Sequence, residues 1–566
     1  MSGAPLTYFR SNNNINPDLN LNNQTPLSNF LYWEERTPER VFLRQPIDGR
    51  WHTFSFAEAG QQARRLAAAL RSNLPPRSHI AILSKNCAHW LIADLAIMFS
   101  DNISVPIYPT LSAEGIHEII THSESRAILL GKLDAFDKQR TGIPDDLLRI
   151  SFPHYGIREG LLWDDLMTSY EPAQARTPDA DATATIMYSS GTTGTPKGVL
   201  LSHGAFGFVA NQVATHLGVY DTDRFFSYLP LSHIAERALM EMVALRAGSS
   251  ISFSESLDKF QENLQHEQPT IFGGVPRIYT KFQEGIVSKM PEKKLKRLLS
   301  IPIVNNLVRK TIRKKLGFAK CRIIVTGAAP SPLSLLNWFH DLGIDISEMY
   351  GMTENTALSH ANYREIKRGS VGQAWPDCEV RLDDAGEIQI RHQGLMKGYF
   401  KDDETTKNVF TPDGFFRTGD KGVVDADGYL TITGRVKDQF KTDKGKYVAP
   451  APIELELLAN SDIEQVCVVG SGLPQPVALV NLSVSAKAKS TNEVTSGLER
   501  TRTTLNPRLE PYERVEKIVI LREPWTMENG LLTPSLKLKR TELEKRFVPE
   551  FLTWYAHPEP VVWEDQ

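Results

Sequence analysis

The residues whose types and spacing could do chemistry are concentrated first in one run, Ser189-Ser190-Gly191-Thr192-Thr193-Gly194-Thr195-Pro196-Lys197-Gly198. Glycines let backbone N–H groups approach an anion closely, and successive N–H groups form an anion-binding concavity. Hydroxyls and one ammonium complete a cradle for phosphate oxygens. The run is not a Walker A loop, which needs Gly before Lys and Ser/Thr after it. Here Pro196 and Gly198 flank Lys197, so the hydroxyl that would hold Mg²⁺ in a P-loop enzyme is missing. A metal ligand must come from elsewhere.

The elements that must position this loop can be read around it. Thr183, Thr185 and Met187 alternate with Ala184, Ile186 and Tyr188, which predicts a strand feeding the loop. Helices are expected over residues 54–70, 88–99 and 204–217. Strands are expected over 79–84, 103–107, 127–130, 323–326 and 344–349. Alternating strands and helices imply parallel sheets with helices on their faces, whose ligands sit at the carboxyl ends of strands. Beyond residue 415 the texture changes to short β-rich runs among Gly419, Gly422, Gly428 and Gly434. Three apolar runs follow, at 466–469, 477–482 and 515–521. The expected fold is α/β. Residues 1–434 form a large domain with parallel-rich βα sheets and a β-rich subdomain. Residues 435–566 form a small α+β domain.

Composition narrows the class. The chain has 566 residues, too many for one ordinary core. It is 41% hydrophobic and 23% charged, and 64 basic against 67 acidic residues leave −3. Nucleic acid is not an expected partner, because a phosphate-binding surface shows as a basic excess. Four scattered cysteines suggest neither a disulfide framework nor a zinc site and fit a reducing compartment. The polar, Asn-rich start lacks the apolar core of a signal peptide. The best candidate membrane span, residues 90–105, is broken by Asp94 and Asp101-Asn102. A cytoplasmic protein is expected. Residues 293–315 carry nine Lys/Arg among apolar positions, a pattern that can bind an anionic membrane surface or form a solvated helix pair.

The loop resembles the signature of the adenylate-forming enzymes, a superfamily of acyl-CoA synthetases, adenylation domains and luciferase. The match continues through Tyr350-Gly351-Met352-Thr353-Glu354, Arg417-Thr418-Gly419-Asp420, Gly434-Arg435-Val436-Lys437-Asp438 and Thr533-Pro534-Ser535-Leu536-Lys537. The chain is most similar to the long-chain fatty acyl-CoA synthetases. Val105-Pro106-Ile107-Tyr108-Pro109-Thr110, the run Leu229-Pro230-Leu231-Ser232-His233-Ile234-Ala235-Glu236-Arg237, and Lys441-Thr442-Asp443-Lys444-Gly445-Lys446-Tyr447-Val448-Ala449-Pro450 carry that resemblance.

The resemblance implies ATP, Mg²⁺ and CoA as cofactor and co-substrates, and a fatty acid as substrate. It assigns ATP contacts to Ser189, Ser190, Gly191, Thr192, Thr193, Gly194 and Lys197. Thr353 is implied at the α-phosphate and Glu354 on the metal. Gly327, Ala328, Ala329, Tyr350 and Gly351 are implied around adenine, with Asp420 and Arg435 at the ribose. His233 is implied between the ATP and acyl sites, in a positioning role; the substrate carboxylate is already ionised near pH 7, so no base is needed. Lys537 is the implied adenylation lysine, although Leu536 stands where the wider superfamily has Gly. Lys437 is the implied hinge, about which the small domain rotates to bring Lys444-Gly445 to the site for the CoA step. The implied acyl lining includes residues 273–277 and the surroundings of Gly351. An acyl-AMP ligase that loads a carrier protein, or a medium-chain or aryl-acid CoA ligase, are the alternatives within the superfamily. A phosphotransferase is disfavoured by the missing Walker pattern.

Overall fold

The computed structural model describes residues 25–189, 197–527, 529–533 and 537–565. Two large sheets carry the first three-quarters of the chain. One runs Gly398–Tyr399, Lys197–Ser202, Thr183–Ser189, Ile103–Ile107, His79–Leu83, Ser125–Leu130, Leu148–Ser151, Leu161–Leu162. It is parallel from Thr183–Ser189 to its far edge, while Lys197–Ser202 turns back antiparallel after the loop. The other has a parallel centre of Val41–Ile47, Ser250–Phe253, Arg224–Ser227, Ile271–Gly274, Ile323–Thr326 and Ser347–Tyr350, with antiparallel additions at both edges. The strands expected at 103–107 and 323–326 and the helix expected at 88–99 have those bounds in the structure. The helix expected from residue 54 begins two residues later, at Phe56–Asn73. Ser55 caps it in a box with Glu58, and residues before the cap belong to the strand Arg50–Ser55.

The helix Ala88–Phe99 is buried at every position, including His89 and Asp94. Its apolar run is therefore core, and its one acid has a partner. Asp94 Oδ1 lies 2.5 Å from Arg237 Nη2, both 0% exposed. Arg237 also donates to Thr185 Oγ1 at 2.9 Å and Ser104 Oγ at 2.8 Å. It sits in a π-helical turn, Arg237–Met242. One buried guanidinium thus ties that turn to the strand that feeds the phosphate loop, and such turns are frequent at functional sites.

A four-stranded antiparallel sheet follows, ordered Glu379–Leu382, Glu387–Arg391, Phe416–Val424, Leu430–Arg435. After it come the hairpin Phe440–Lys441/Tyr447–Val448 and a last sheet, Ile463–Val469, Val477–Leu482, Lys517–Ile520, Val561–Trp563. This last sheet has its own apolar clusters on both faces, one around Ile453, Leu457 and Leu498, the other around Trp525, Leu543 and Trp554. The C-terminal part therefore has cores of its own. The four cysteines are buried and free. Among the described residues no helix is long and apolar enough to cross a membrane.

Candidate active site

Residues ending or following the parallel strands meet residues of the antiparallel sheet and of the strand Gly398–Tyr399. Ser189 ends its strand opposite Lys197 in the register. The intervening Ser190, Gly191, Thr192, Thr193 and Gly194 lie outside the described residues. Lys197 Nζ stands 5.1 Å from the centre of the Tyr399 ring, a cation–π contact. The Tyr399 hydroxyl donates to Glu354 Oε1 at 3.0 Å. Tyr399 therefore joins the end of the phosphate loop to the expected metal ligand. Its pKa is raised by burial and then by Glu354, so the phenol keeps its proton. No short-range signal marks this residue; it arrives through the pairing of Tyr399 with Val199, two hundred residues away in the chain.

Thr353 and Glu354 occupy a single 3-10 turn, Thr353–Asn355, directly after the strand Ser347–Tyr350. Asn355 Oδ1 accepts the Met352 N–H at 2.8 Å and fixes the turn. Thr356 and Ala357 then adopt φ of 53° and 62°, a left-handed conformation seldom held by residues with a Cβ. A Cβ on Gly351 would lie 2.3 Å from the Ala357 carbonyl carbon, so only glycine lets the chain fold back there. Strain of this kind persists where the surroundings over-determine it, typically at a functional site. Ala328, in the expected adenine wall, is likewise left-handed at φ 64°.

Asp420 and Arg435 face each other across two paired strands. Arg435 Nε lies 2.9 Å from Asp420 Oδ1, and the Tyr350 hydroxyl donates to Oδ2 at 2.7 Å. Each carboxylate oxygen keeps a second lone pair, which leaves Asp420 able to accept two further hydroxyls. Burial, then Asp420, raise the Tyr350 pKa, so it too stays a donor.

His233 caps the short helix Ile234–Glu236, its Nδ1 accepting the Ala235 N–H at 3.2 Å. That bond leaves the proton on Nε2. Burial, and then the Lys537 ammonium, push its pKa down to about 3, so the ring is neutral and unsuited to act as a base near pH 7. Its neighbour Glu236 is pushed up to about 8 by burial, despite accepting from Tyr228 N at 3.1 Å. Tyr228 OH, Ser232 Oγ and Thr326 Oγ1 are buried without a hydrogen-bond partner among the described residues. Thr326 ends its strand, and Tyr228 follows one. These hydroxyls are available to a ligand.

Lys537 comes from the C-terminal lobe. Its loop is held by Thr533, whose N–H donates to Lys537 O at 2.8 Å and whose hydroxyl accepts the Lys537 N–H at 3.0 Å. Crowding of its ammonium by protein, then Arg435, lower its pKa; Asp420 and Glu354 act in the other direction, while the residue as a whole keeps solvent contact. Its charge is thus felt at Glu354, Asp420, Arg435 and His233. Lys444 and Gly445 are not brought there. They are exposed at the turn of their own hairpin, which is tied to its own lobe by Asp443 N to Leu473 O and Gly472 N to Lys441 O. Lys437 is exposed in the turn between the lobes. Of the expected acyl lining, Gly273 meets Met240 of the π-helical turn: a Cβ on Gly273 would lie 2.7 Å from its Cε. Arg277 does not line that region. It is on the surface and pairs with Glu464 of the C-terminal lobe.

Residues 30–400 match the family described as AMP-binding enzyme, and residues 437–559 match the AMP-binding enzyme C-terminal domain. The chain belongs to the AMP-binding enzyme family. It is 29% identical to long-chain-fatty-acid–CoA ligase FadD15 of Mycobacterium tuberculosis, over 92% of this chain and 95% of that protein. It is 30% identical to the peroxisomal long chain acyl-CoA synthetase 6 of Arabidopsis thaliana, over 90% of this chain and 82% of that one. The crystal structure of the anthranilate CoA ligase AuaEII with anthranoyl-AMP superposes with a TM-score of 0.76 at 20% identity, over 93% and 97% of the two chains. That last likeness shows a shared fold.

Proposed function

We propose that this protein is an ATP-dependent long-chain fatty acid–CoA ligase. It adenylates a fatty acid with release of pyrophosphate, then passes the acyl group to CoA with release of AMP. The relatives support the substrate class, since two matched over nine-tenths of the chain are named for long-chain acyl substrates. The observation that carries the chemistry is the linked set Lys197–Tyr399–Glu354 and Tyr350–Asp420–Arg435, with the Lys537 ammonium within charge range of Arg435, Asp420 and Glu354. In the first step a carboxylate oxygen bonds to the α-phosphorus and the bond to pyrophosphate breaks. Two anions meet, so preorganised positive charge is the main catalytic contribution. Lys537 supplies it from one lobe, Lys197 and the loop from the other. Asp420 and Tyr350 hold the nucleoside, and Thr353 lies beside the α-phosphate.

Among the described residues no cluster of three or more His, Cys, Asp or Glu could hold a metal by itself. A lone carboxylate suits Mg²⁺, which binds one or two carboxylates together with substrate phosphates and waters. Glu354 would hold it, and the ion would supply neutralisation of phosphate charge. In the second step a CoA thiolate bonds to the acyl carbonyl carbon and AMP leaves. Lys537 has no part in it, and Lys444-Gly445 must replace it. We divide the chain into domains 1–434 and 435–566, turning about Lys437, to allow this. A peripheral contact of residues 293–315 with an anionic membrane surface belongs to the same reading.

The test is CoA-dependent AMP release, screened over aliphatic acids from acetate to long chains and over aryl acids. Long aliphatic acids should give the highest kcat/KM. Turnover restricted to aryl acids, or acyl-AMP formed without transfer to free CoA, would replace this reading by an aryl-acid ligase or an acyl-AMP ligase.

A further inference from the structure

The helices Glu292–Leu299 and Val304–Leu316 pack on one apolar cluster through Leu295, Ile312 and Leu316, beside Phe282 and Phe318. Their other sides are largely exposed, except that the end of the second helix accepts from Gln261 and Gln265 at Lys315 O and from Gln268 at Lys314 O. Lys293, Lys294, Lys296 and Arg297 are exposed on the first helix, and Lys310, Lys314 and Lys315 on the second. Arg309 and Arg313 do not share this face. Arg309 Nε donates to Asp341 O at 3.1 Å, and Arg313 donates to Gly343 O at 2.8 Å and Cys321 O at 2.7 Å, so both serve the fold. The turn between the helices and the first turn of the second carry apolar side chains into solvent: Ile301 is 41% exposed, Ile303 85% and Leu307 66%. Ile303 has φ 72° and ψ −50°, an outlier for a β-branched residue. Among the described residues this is the most exposed isoleucine, held outward against both hydration and backbone preference.

We propose that this turn is a wedge that enters an anionic lipid surface, with Ile301, Ile303 and Leu307 below the headgroups and the seven exposed basic residues among the headgroup phosphates. The inference deepens the membrane contact of the proposed function and can fail separately from the ligase chemistry. Charge complementarity selects the occupant. The whole chain carries −3, yet the one acid within residues 292–316 is Glu292, paired with Lys296 at 2.8 Å, with Asp341 of a neighbouring helix also near Lys296. A local basic excess on a mildly acidic protein orients this face toward an anionic surface. Six of the seven exposed cations are lysines, which act as point charges on mobile headgroups and lack the fork that arginine offers a fixed partner. The apolar tip is aliphatic, which suits acyl chains and offers no aromatic face for base stacking. The position serves the reaction. The strand Ile271–Gly274, which ends at Gly273 and Gly274 of the expected acyl lining, runs into the helix Pro276–Lys289, and that helix runs into the wedge.

The test is co-sedimentation of the full chain with phosphatidylcholine vesicles, with and without phosphatidylglycerol. Two variants are compared. Ile303→Asn with Leu307→Ser makes the two most exposed apolar positions of the tip polar. Lys293→Glu, Lys294→Glu, Lys310→Glu and Lys314→Glu reverse the rim. The wild type should bind phosphatidylglycerol vesicles and release them with salt, and each variant should bind about tenfold or more weakly. Turnover of octanoate, soluble without vesicles, should stay at the wild-type level in both and so report an intact fold. The wedge is refuted if the wild type ignores vesicles or if the tip variant binds as well as wild type. It is also refuted if soluble heparin displaces the protein while the tip variant is unaffected, since that outcome assigns the face to an acidic macromolecule. Vesicle binding as described, in a protein that turns over no aliphatic acid, would keep the wedge and remove the proposed function.

Discussion

Lys537 carries its charge on a loop of the C-terminal lobe and sets it against groups of the other lobe. Lys537→Ala should slow adenylation by about a hundred- to a thousandfold, the usual loss when one preorganised charge is removed from a phosphoryl-transfer transition state. Thioester formation from supplied acyl-AMP should persist. Single-turnover measurement of each half-reaction checks this, and equal loss in both would exclude separate arrangements for the two steps. The lowered pKa of Lys537 adds a pH signature. Its ammonium is lost as pH rises, so kcat/KM for ATP should fall on the alkaline side below the ordinary lysine value near 10.5. Lys537→Arg should abolish that limb. His233, already neutral, should contribute no limb between pH 5 and 9. Tyr399 acts one contact further out. Tyr399→Phe removes a hydrogen bond to a carboxylate, worth about 1.5–3 kcal/mol. It should raise the Mg²⁺ concentration needed for ATP binding by roughly tenfold, read by titrating nucleotide binding rather than turnover.

At the scale of elements, the run from Leu229 to Arg237 supplies a framework as much as a site. Glu236 titrates about 8 when folded, against about 4.5 as an ordinary glutamate. The folded state therefore holds its proton more tightly, and this residue's contribution to stability falls as pH rises from about 4.5 to 8, then levels. Glu236→Gln should flatten that slope. Urea midpoints measured from pH 5 to 9 should converge with wild type at the acid end and exceed it above pH 8. The sequence made the positions of this run legible by resemblance, and the strand-loop order around Ser189 legible by alternation. It could not show that Asp94, read only as a charge interrupting an apolar stretch, is the buried partner of Arg237, because that pairing spans 143 residues. Tyr399 was hidden for the same reason, as was the outward turn of Arg277 toward Glu464. Local patterns report periodicity and caps; contacts between distant segments depend on which strands pair, and pairing is not written in either segment alone.

At the scale of the molecule, the two lobes meet where the helix Pro450–Leu457 packs on the strand Leu430–Arg435, at the Lys537 loop, and through the Arg277–Glu464 pair at the surface. Val436 N donates to Gly419 O at 2.9 Å and Asp438 N to Arg435 O at 3.3 Å, so proline at 437 removes neither bond. Lys437→Pro should therefore leave adenylation near the wild-type rate, fix the backbone at the turn and slow thioester formation by tenfold or more. Breaking the surface pair should act in the opposite direction. An exposed ion pair contributes about 0–1 kcal/mol, so Glu464→Gln can shift the balance between arrangements by at most about fivefold. If adenylation requires the arrangement seen here, Glu464→Gln should lower its rate within that limit and leave the CoA step unchanged or slightly faster. Arg277→Gln should match it, and the double variant should be no worse than either alone. Losses that add in the double variant would show that the two side chains act separately, and that the register of the lobes rests on their other contacts, the Lys537 loop and the packing of Pro450–Leu457 on Leu430–Arg435.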